Sequence, residues 1–288
     1  MWAVVAVLVG TLPPSSPAQA ETPVALELVL AVDTSESVDG FEFSLVMQGI
    51  ARAFRSPEIV ELIGRQDGVA VTLFQWSSRI DRSYMVPWHL VTDPVSVLSF
   101  AAAVEAAERD PIRGFTAIGG AIDFGVRLIA ENGFAGRQRK IDLSGDGRSN
   151  AGPAPAKPRK EADALGIVIN GLPILAGTDE TAYELDTYYR DNVIVGPGAF
   201  VEIARGYEDF DQAFKRKLLR ELTPVVSRNE VLPADQVEKS PAGSGRFGST
   251  AAVWPAAAAS SGLSVPVRTL TWRGANSMPT LRNSSLMR

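Results

Sequence analysis

The chain has 288 residues, 45% of them hydrophobic and 21% charged, with a net charge of −5, a single histidine (His89) and no cysteine. That length suits one large domain or two small ones, and the balance excludes wholesale disorder and collagen-like repeats. A disulfide framework, a thiolate zinc site, a cysteine nucleophile and a multi-histidine metal centre are excluded by composition, and the acidic balance argues against nucleic acid as the main partner.

At the N-terminus, Trp2–Leu12 is small and apolar, a Pro/Ser-rich stretch follows, and Ala18-Gln19-Ala20 precedes Glu21. An apolar run ending in A-x-A is the pattern of a secretory signal peptide, residues 1–20, and predicts a periplasmic or secreted bacterial protein. The usual basic flank is missing, since the first Lys or Arg is Arg52. No apolar run reaches the ~20 residues of a membrane-spanning helix.

The elements that follow alternate. Ala25–Val32 is an apolar run with the character of a buried parallel strand. Phe43, Val46, Ile50 and Phe54 are spaced for an amphipathic helix over Gly40–Phe54. Gly68–Trp76 reads as a second strand, and Tyr84–Val91 as a third that Pro87 confines to a sheet edge. Helices are expected at Pro94–Glu108, Ala117–Glu131 and Pro155–Leu165, and strands at Lys140–Ser144, Gly166–Ile174 and Ala199–Ala204. Phe210, Phe214, Leu218 and Leu222 close the series as a helix over Tyr207–Leu222. Strands alternating with helices predict an α/β domain over residues 22–228, with a mostly parallel sheet, one antiparallel edge strand and helices on both faces.

Residues 229–288 differ in kind. From Ser240 onward there are no acids, and 26 of 49 residues are Ala, Gly, Pro or Ser. Such a segment buries too little apolar surface to offset its ordering entropy, so a disordered tail is expected. Deleting Ser240–Arg288 is expected to move the melting temperature by less than about 4 °C. A larger drop in a thermal melt would mean that the tail packs on the domain.

In open α/β sheets, ligands bind at the carboxyl ends of the strands. The first strand ends in Asp33-Thr34-Ser35-Glu36-Ser37, a D-x-S-x-S motif that is weak alone but stronger in this position. Alternate residues of an extended segment face one way, which directs Asp33, Ser35 and Ser37 at one spot. The strand KIDLS runs into Gly145-Asp146-Gly147, and Thr116 opens a helix. Two carboxylates and three hydroxyls are hard oxygen donors, suited to Mg²⁺ or Mn²⁺, with waters or a partner's oxygen completing the shell. Duller roles compete: Thr116 as a helix cap, Ser37 or Asp39 as the cap of Gly40–Phe54, and Asp146 as a turn residue. Asp142 and Asp123 are more doubtful candidates: Asp142 alternates with Ile141 and Leu143, faces the other side of its strand, and reads as a hydrogen-bonded structural acid rather than a ligand. Lys157, Arg159 and Lys160, like Lys215, Arg216 and Lys217, read as solvated helix faces.

This set of five positions resembles the metal-ion-dependent adhesion site of von Willebrand factor type A domains. The segments Leu28–Asp39, Thr116–Phe124, Ile141–Asn150, Ile169–Ile174 and Tyr188–Phe200 resemble, more narrowly, a bacterial family of secreted A-domain-like proteins of unknown function. The resemblance covers about Ala25 to Leu222. It implies a Rossmann-like A-domain fold and direct metal ligation by Ser35 and Ser37. It further implies ligation by Thr116 directly or through water, roles for Asp33 and Asp146 often through water, and a sixth ligand from a partner's carboxylate. Glu36 adds an acid inside the loop that would compete with that carboxylate. The expected function is therefore metal-dependent protein binding rather than catalysis, with a metal-dependent hydrolase or a metal-free scaffold as alternatives. No G-x-G-x-x-G follows the first strand, no G-x-S-x-G elbow exists, and no serine nucleophile motif pairs with His89.

Overall fold

The apolar run at the start of the domain becomes the central strand of the sheet. A computed structural model describes residues 20–176 and 180–223. The expected signal peptide, apart from Ala20, and the expected tail lie outside the described residues. Strand β1 (Thr22–Asp33) is flanked on both sides by parallel neighbours, β2 (Val69–Trp76) and β4 (Phe134–Gly145). Outside these lie β3 (Val86–Val91), antiparallel to β2, and β5 (Ile167–Pro173), parallel to β4, giving the order β3-β2-β1-β4-β5. The single antiparallel strand is the one carrying Pro87, at an edge where a missing N–H costs no ladder bond.

Alternation along β1 splits the core into two layers. Leu26, Leu28, Leu30 and Val32 face α1 (Gly40–Phe54), α2 (Pro57–Gly64), α3 (Pro94–Glu105) and α7 (Phe210–Leu222). Val29 and Ala31 face α4 (Ile118–Ala130), α5 (Ala156–Ala164) and α6 (Glu180–Asn192). Glu27, on the second side, is buried but accepts from the Asn132 side chain (2.5 Å) and the Gly136 amide (2.6 Å), so its oxygens are paired.

Several elements depart from the sequence expectation. Strand β4 begins six residues before the apolar KIDLS run, because its polar first half pairs with the start of β1, Thr22 opposite Phe134 and Leu26 opposite Gln138. Two helices carry too short an apolar signal to stand out: α2 buries only Ile59 and Ile63, and α6 buries Leu185 and Tyr189 among its described side chains. Ala199–Ala204 is not a regular strand. The chain reverses through Gly196 and Gly198, both at positive φ (98° and 75°), and touches β5 at isolated bridges, antiparallel at Ile169–Val195 and parallel at Gly171–Val201 and Ile174–Ala204. No continuous register survives that reversal.

Lys217 corrects the solvated-face reading. It is 1% exposed, and its ammonium lies between Asp142 of β4 and Glu221 one turn along α7. Asp142 is thus the buried structural acid that its alternation suggested. Lys157 is exposed as expected, 3.7 Å from Glu161.

Candidate metal site

The carboxyl ends of β1 and β4 and the loop before α4 meet at one end of the sheet. The last residue of β1 is Asp33, whose Oδ1 accepts the Ser35 amide at 2.7 Å and folds the chain into a tight turn. The Thr34 amide donates to the Trp76 carbonyl (2.8 Å), and the Glu36 amide donates to the Gly114 carbonyl (2.9 Å), so the loop is held on both sides. Arg109 clamps it from outside, donating to the carbonyls of Thr34 (3.2 Å) and Val38 (2.8 Å). Asp39, not Ser37, caps α1: its Oδ1 takes the amides of Phe41 and Glu42, while Glu42 reaches back to the Asp39 amide. Ser37 is thereby left free of capping.

The Ser37 hydroxyl instead donates to Asp146 Oδ1 at 2.7 Å. Ser35 Oγ lies 3.3 Å from Ser37 Oγ, and Thr116 Oγ1 donates to Ser35 Oγ at 3.3 Å. Three hydroxyls thus form a chain that ends on a carboxylate. Thr116 does not cap α4. The N-cap is Ala117, without a side-chain bond, and the Ile118 amide is taken by Ser149 Oγ at 3.3 Å. The Thr116 backbone is fixed by a reciprocal pair with Asn150: its amide donates to Asn150 Oδ1 and its carbonyl accepts the Asn150 amide, both at 2.8 Å. Asp123, by contrast, stands on α4 near Glu161 of α5, outside this group, and partial burial and that neighbour raise its pKa.

The site has a buried floor and an open rim. Asp33, Ser35 and Thr116 are buried, Asp146 is half-buried and Ser37 is exposed. Burial and the charge of Asp146 push the Asp33 carboxyl up to about 7, against the lowering effect of its bonds to Ser35. Its second oxygen, Oδ2, is buried without a hydrogen-bond partner, an arrangement that is costly for a carboxylate unless a positive group sits nearby.

Sequence reasoning missed the groups that brace these side chains. Tyr207, in a short 3-10 turn before α7, donates its hydroxyl to Asp146 Oδ2 at 3.0 Å, and burial and that carboxylate raise its pKa. Gly145 admits no side chain: a Cβ there would lie 2.6 Å from Asp33 Oδ2 and 3.0 Å from the Tyr189 hydroxyl. No local pattern marks Tyr207, which arrives from 61 residues beyond Asp146. Gly145 and Asn150 lie inside the segment around Asp146; the sequence marked Gly145 only as part of a tight turn, and Asn150 not at all. His89 is remote in its contacts, its Nδ1 2.7 Å from the Pro87 carbonyl and its ring edge-on to Phe100.

A family model described as "Protein of unknown function (DUF1194)" matches residues 23–226. The chain belongs to this family. No curated protein matches the sequence significantly. Among solved structures, this DUF1194 domain is similar to the pilus adhesin SpaC from Lactobacillus rhamnosus GG, at 15% identity and a TM-score of 0.50, over 70% of this chain and 31% of that one. It is also similar to proximal thread matrix protein 1 of the mussel byssus in a form with a zinc-occupied MIDAS motif, at 17% identity and a TM-score of 0.49, over 70% and 48% of the two chains. A von Willebrand factor type A protein from Catenulispora acidiphila aligns at 14% identity and a TM-score of 0.45, over 70% and 43%. The chain spans about half the length of the mussel protein. The DUF1194 domain has the α/β, Rossmann-like fold of von Willebrand factor type A domains, with a mostly parallel sheet and one antiparallel edge strand.

Proposed function

We propose that Asp33, Ser35, Ser37, Thr116 and Asp146 hold a divalent cation, Mg²⁺ or Mn²⁺, and that the protein is a binding module which captures a protein partner through an acidic side chain. The observation that carries this reading is the buried, unpartnered Asp33 Oδ2 beside three mutually bonded hydroxyls and a second carboxylate. Among the described residues there is no cluster of three or more His, Cys, Asp or Glu side chains able to hold a metal, so a cation here would rest on hydroxyls. When bound, the cation would supply a positive centre that attracts an anionic oxygen. Two carboxylates and neutral hydroxyls leave such a centre electrophilic. The chain's own residues fix the donors: Asp33 and Arg109 shape the loop, Asn150 holds Thr116, and Tyr207 orients Asp146.

Binding rather than hydrolysis is favoured by where the hydroxyls and the imidazole lie. Ser35 and Ser37 bond to each other, Thr116 and Asp146, while His89 contacts the Pro87 carbonyl and Phe100, so no serine–histidine pair of the catalytic kind is assembled among the described residues. A pull-down from cell-envelope extract, run with Mg²⁺ and again with chelator, tests the reading. A partner retained with Mg²⁺, released by chelator and not retained by Asp33→Ala is the expected result; equal recovery in all three contradicts it.

Two narrower expectations follow. Gly145→Ala should displace the Asp33 carboxylate, because the new methyl overlaps it, and should destabilise the fold by about 1–3 kcal/mol while weakening the response to metal. Unchanged urea midpoint and metal response would count against this packing. For the whole protein we propose export to the periplasm or beyond after cleavage at Ala20, which mass spectrometry of the mature N-terminus checks. Among the described residues no helix is long and apolar enough to cross a membrane.

A further inference from the structure

Seven large apolar side chains are exposed among the described residues, and they fall into two groups. Leu90 pairs with Ala70 near the start of β2, Val95 and Leu98 lie on α3 just beyond, and Leu165 precedes the first residue of β5, so these four belong to the end of the sheet opposite the candidate site. Phe41 (68% exposed), Ile112 (50%) and Phe115 (62%) lie at the site end. Phe41 is in the first turn of α1, directly after the Asp33–Asp39 loop. Phe115 is the residue before Thr116. The two loops that carry these side chains are joined by the Glu36–Gly114 backbone bond and by Arg109. Between Ile112 and Phe115 stands Arg113, also exposed.

On the side of the site formed by these two loops, three exposed apolar side chains and the Arg113 guanidinium stand beside the hard oxygen donors, while the exposed charges Glu36 and Arg148 lie within the donor segments themselves. Aromatic side chains are enriched at interface centres and supply large contact area at low entropic cost. We propose that the partner segment carries an aspartate or glutamate directly beside a bulky apolar residue, the acid directed to the cation site and the apolar side chain seated on Phe41, Ile112 and Phe115, with Arg113 adding attraction for acidic sequence. This rests on the cation-site reading and specifies the partner that reading leaves open.

Selection of a phage-displayed random peptide library on the full chain in Mg²⁺, with elution by chelator, tests it. Eluted sequences should join an acid to leucine, isoleucine or an aromatic residue. A synthetic peptide of the selected sequence should bind Phe41→Ser and Phe115→Ser at least about fivefold more weakly, and Leu165→Ser, at the other end, as tightly as the original. Thermal melts confirm that the surface variants remain folded. Chelator-eluted acidic sequences with no apolar neighbour, or equal binding by the phenylalanine variants, overturn the apolar rim and leave the cation site standing. No chelator-eluted sequence at all overturns the cation site and the rim with it.

Discussion

Lys217→Met is expected to lower stability by about 3–5 kcal/mol, the cost of removing one partner from a buried ion pair. The ammonium is sealed beneath the sheet, with Asp142 on one side and Glu221 Oε1 at 2.6 Å on the other. Asp142 meets it as a close ion pair, while Glu221 Oε1 also accepts from Asn170 Nδ2 at 2.6 Å. Lys140 lies nearby, donating to the Glu221 carbonyl at 2.9 Å. Methionine keeps most of the volume, so the loss is chiefly that of charge: two carboxylates would face each other in apolar surroundings. Burial, then Glu221, already raise the Asp142 pKa well above the usual range, while Lys217 is the main influence holding Glu221 down against its burial.

The pH dependence has a definite sign. In the parent protein, Glu221, with its lowered pKa, contributes stability that is lost as pH falls. In the variant both carboxylates have raised pKa values, so the folded state binds more protons than the unfolded one and gains stability as pH falls. The deficit of Lys217→Met, measured by urea unfolding, should therefore be smaller at pH 5 than at pH 8. A loss below about 1 kcal/mol, or a deficit that grows on acidification, would show that the ammonium is not neutralising buried carboxylates.

The second large effect concerns the cation site. A ligand that binds only the native state at a hundredfold excess over its Kd stabilises by about 2.7 kcal/mol, or about 5–10 °C in a domain of this size. Mg²⁺ or Mn²⁺ should raise the melting temperature of the parent by that order, and Asp33→Ala should cut the rise to below about 1 °C. The metal-free variant should melt close to the parent. Asp33 lies at a strand end, its Oδ2 has no partner to lose, and the lost Ser35 amide acceptor matters by about 1 kcal/mol. An undiminished metal response in Asp33→Ala would contradict its role.

What the sequence disclosed and what it hid have physical reasons. β1 and β2 were legible because strands buried on both faces are nearly continuous apolar runs. Asp33, Ser35, Ser37, Thr116 and Asp146 were legible as a group because the strand-end rule converts distant positions into neighbours, and the structure brings their side chains together. Lys217 was hidden in a Lys-Arg-Lys run whose composition signals solvent. Yet residues 210, 214, 217 and 221 fall at spacings of 4, 3 and 4, on one helical face, and this placed a lysine and a glutamate in the middle of an apolar stripe. That conflict was the readable sign of a buried pair, with Asp142 in an apolar strand as its complement. Tyr207 had no such sign, since its hydrogen bond to Asp146 exists only in three dimensions.

Isothermal titration of the full chain with Mg²⁺ and with Mn²⁺, alone and with acetate as a carboxylate ligand, decides whether the five side chains hold a cation. Saturable binding at one site, absent in Asp33→Ala, is the expected result. No binding by the parent at millimolar metal, even with the carboxylate present, would contradict it and leave the five side chains as the polar end of a metal-free scaffold.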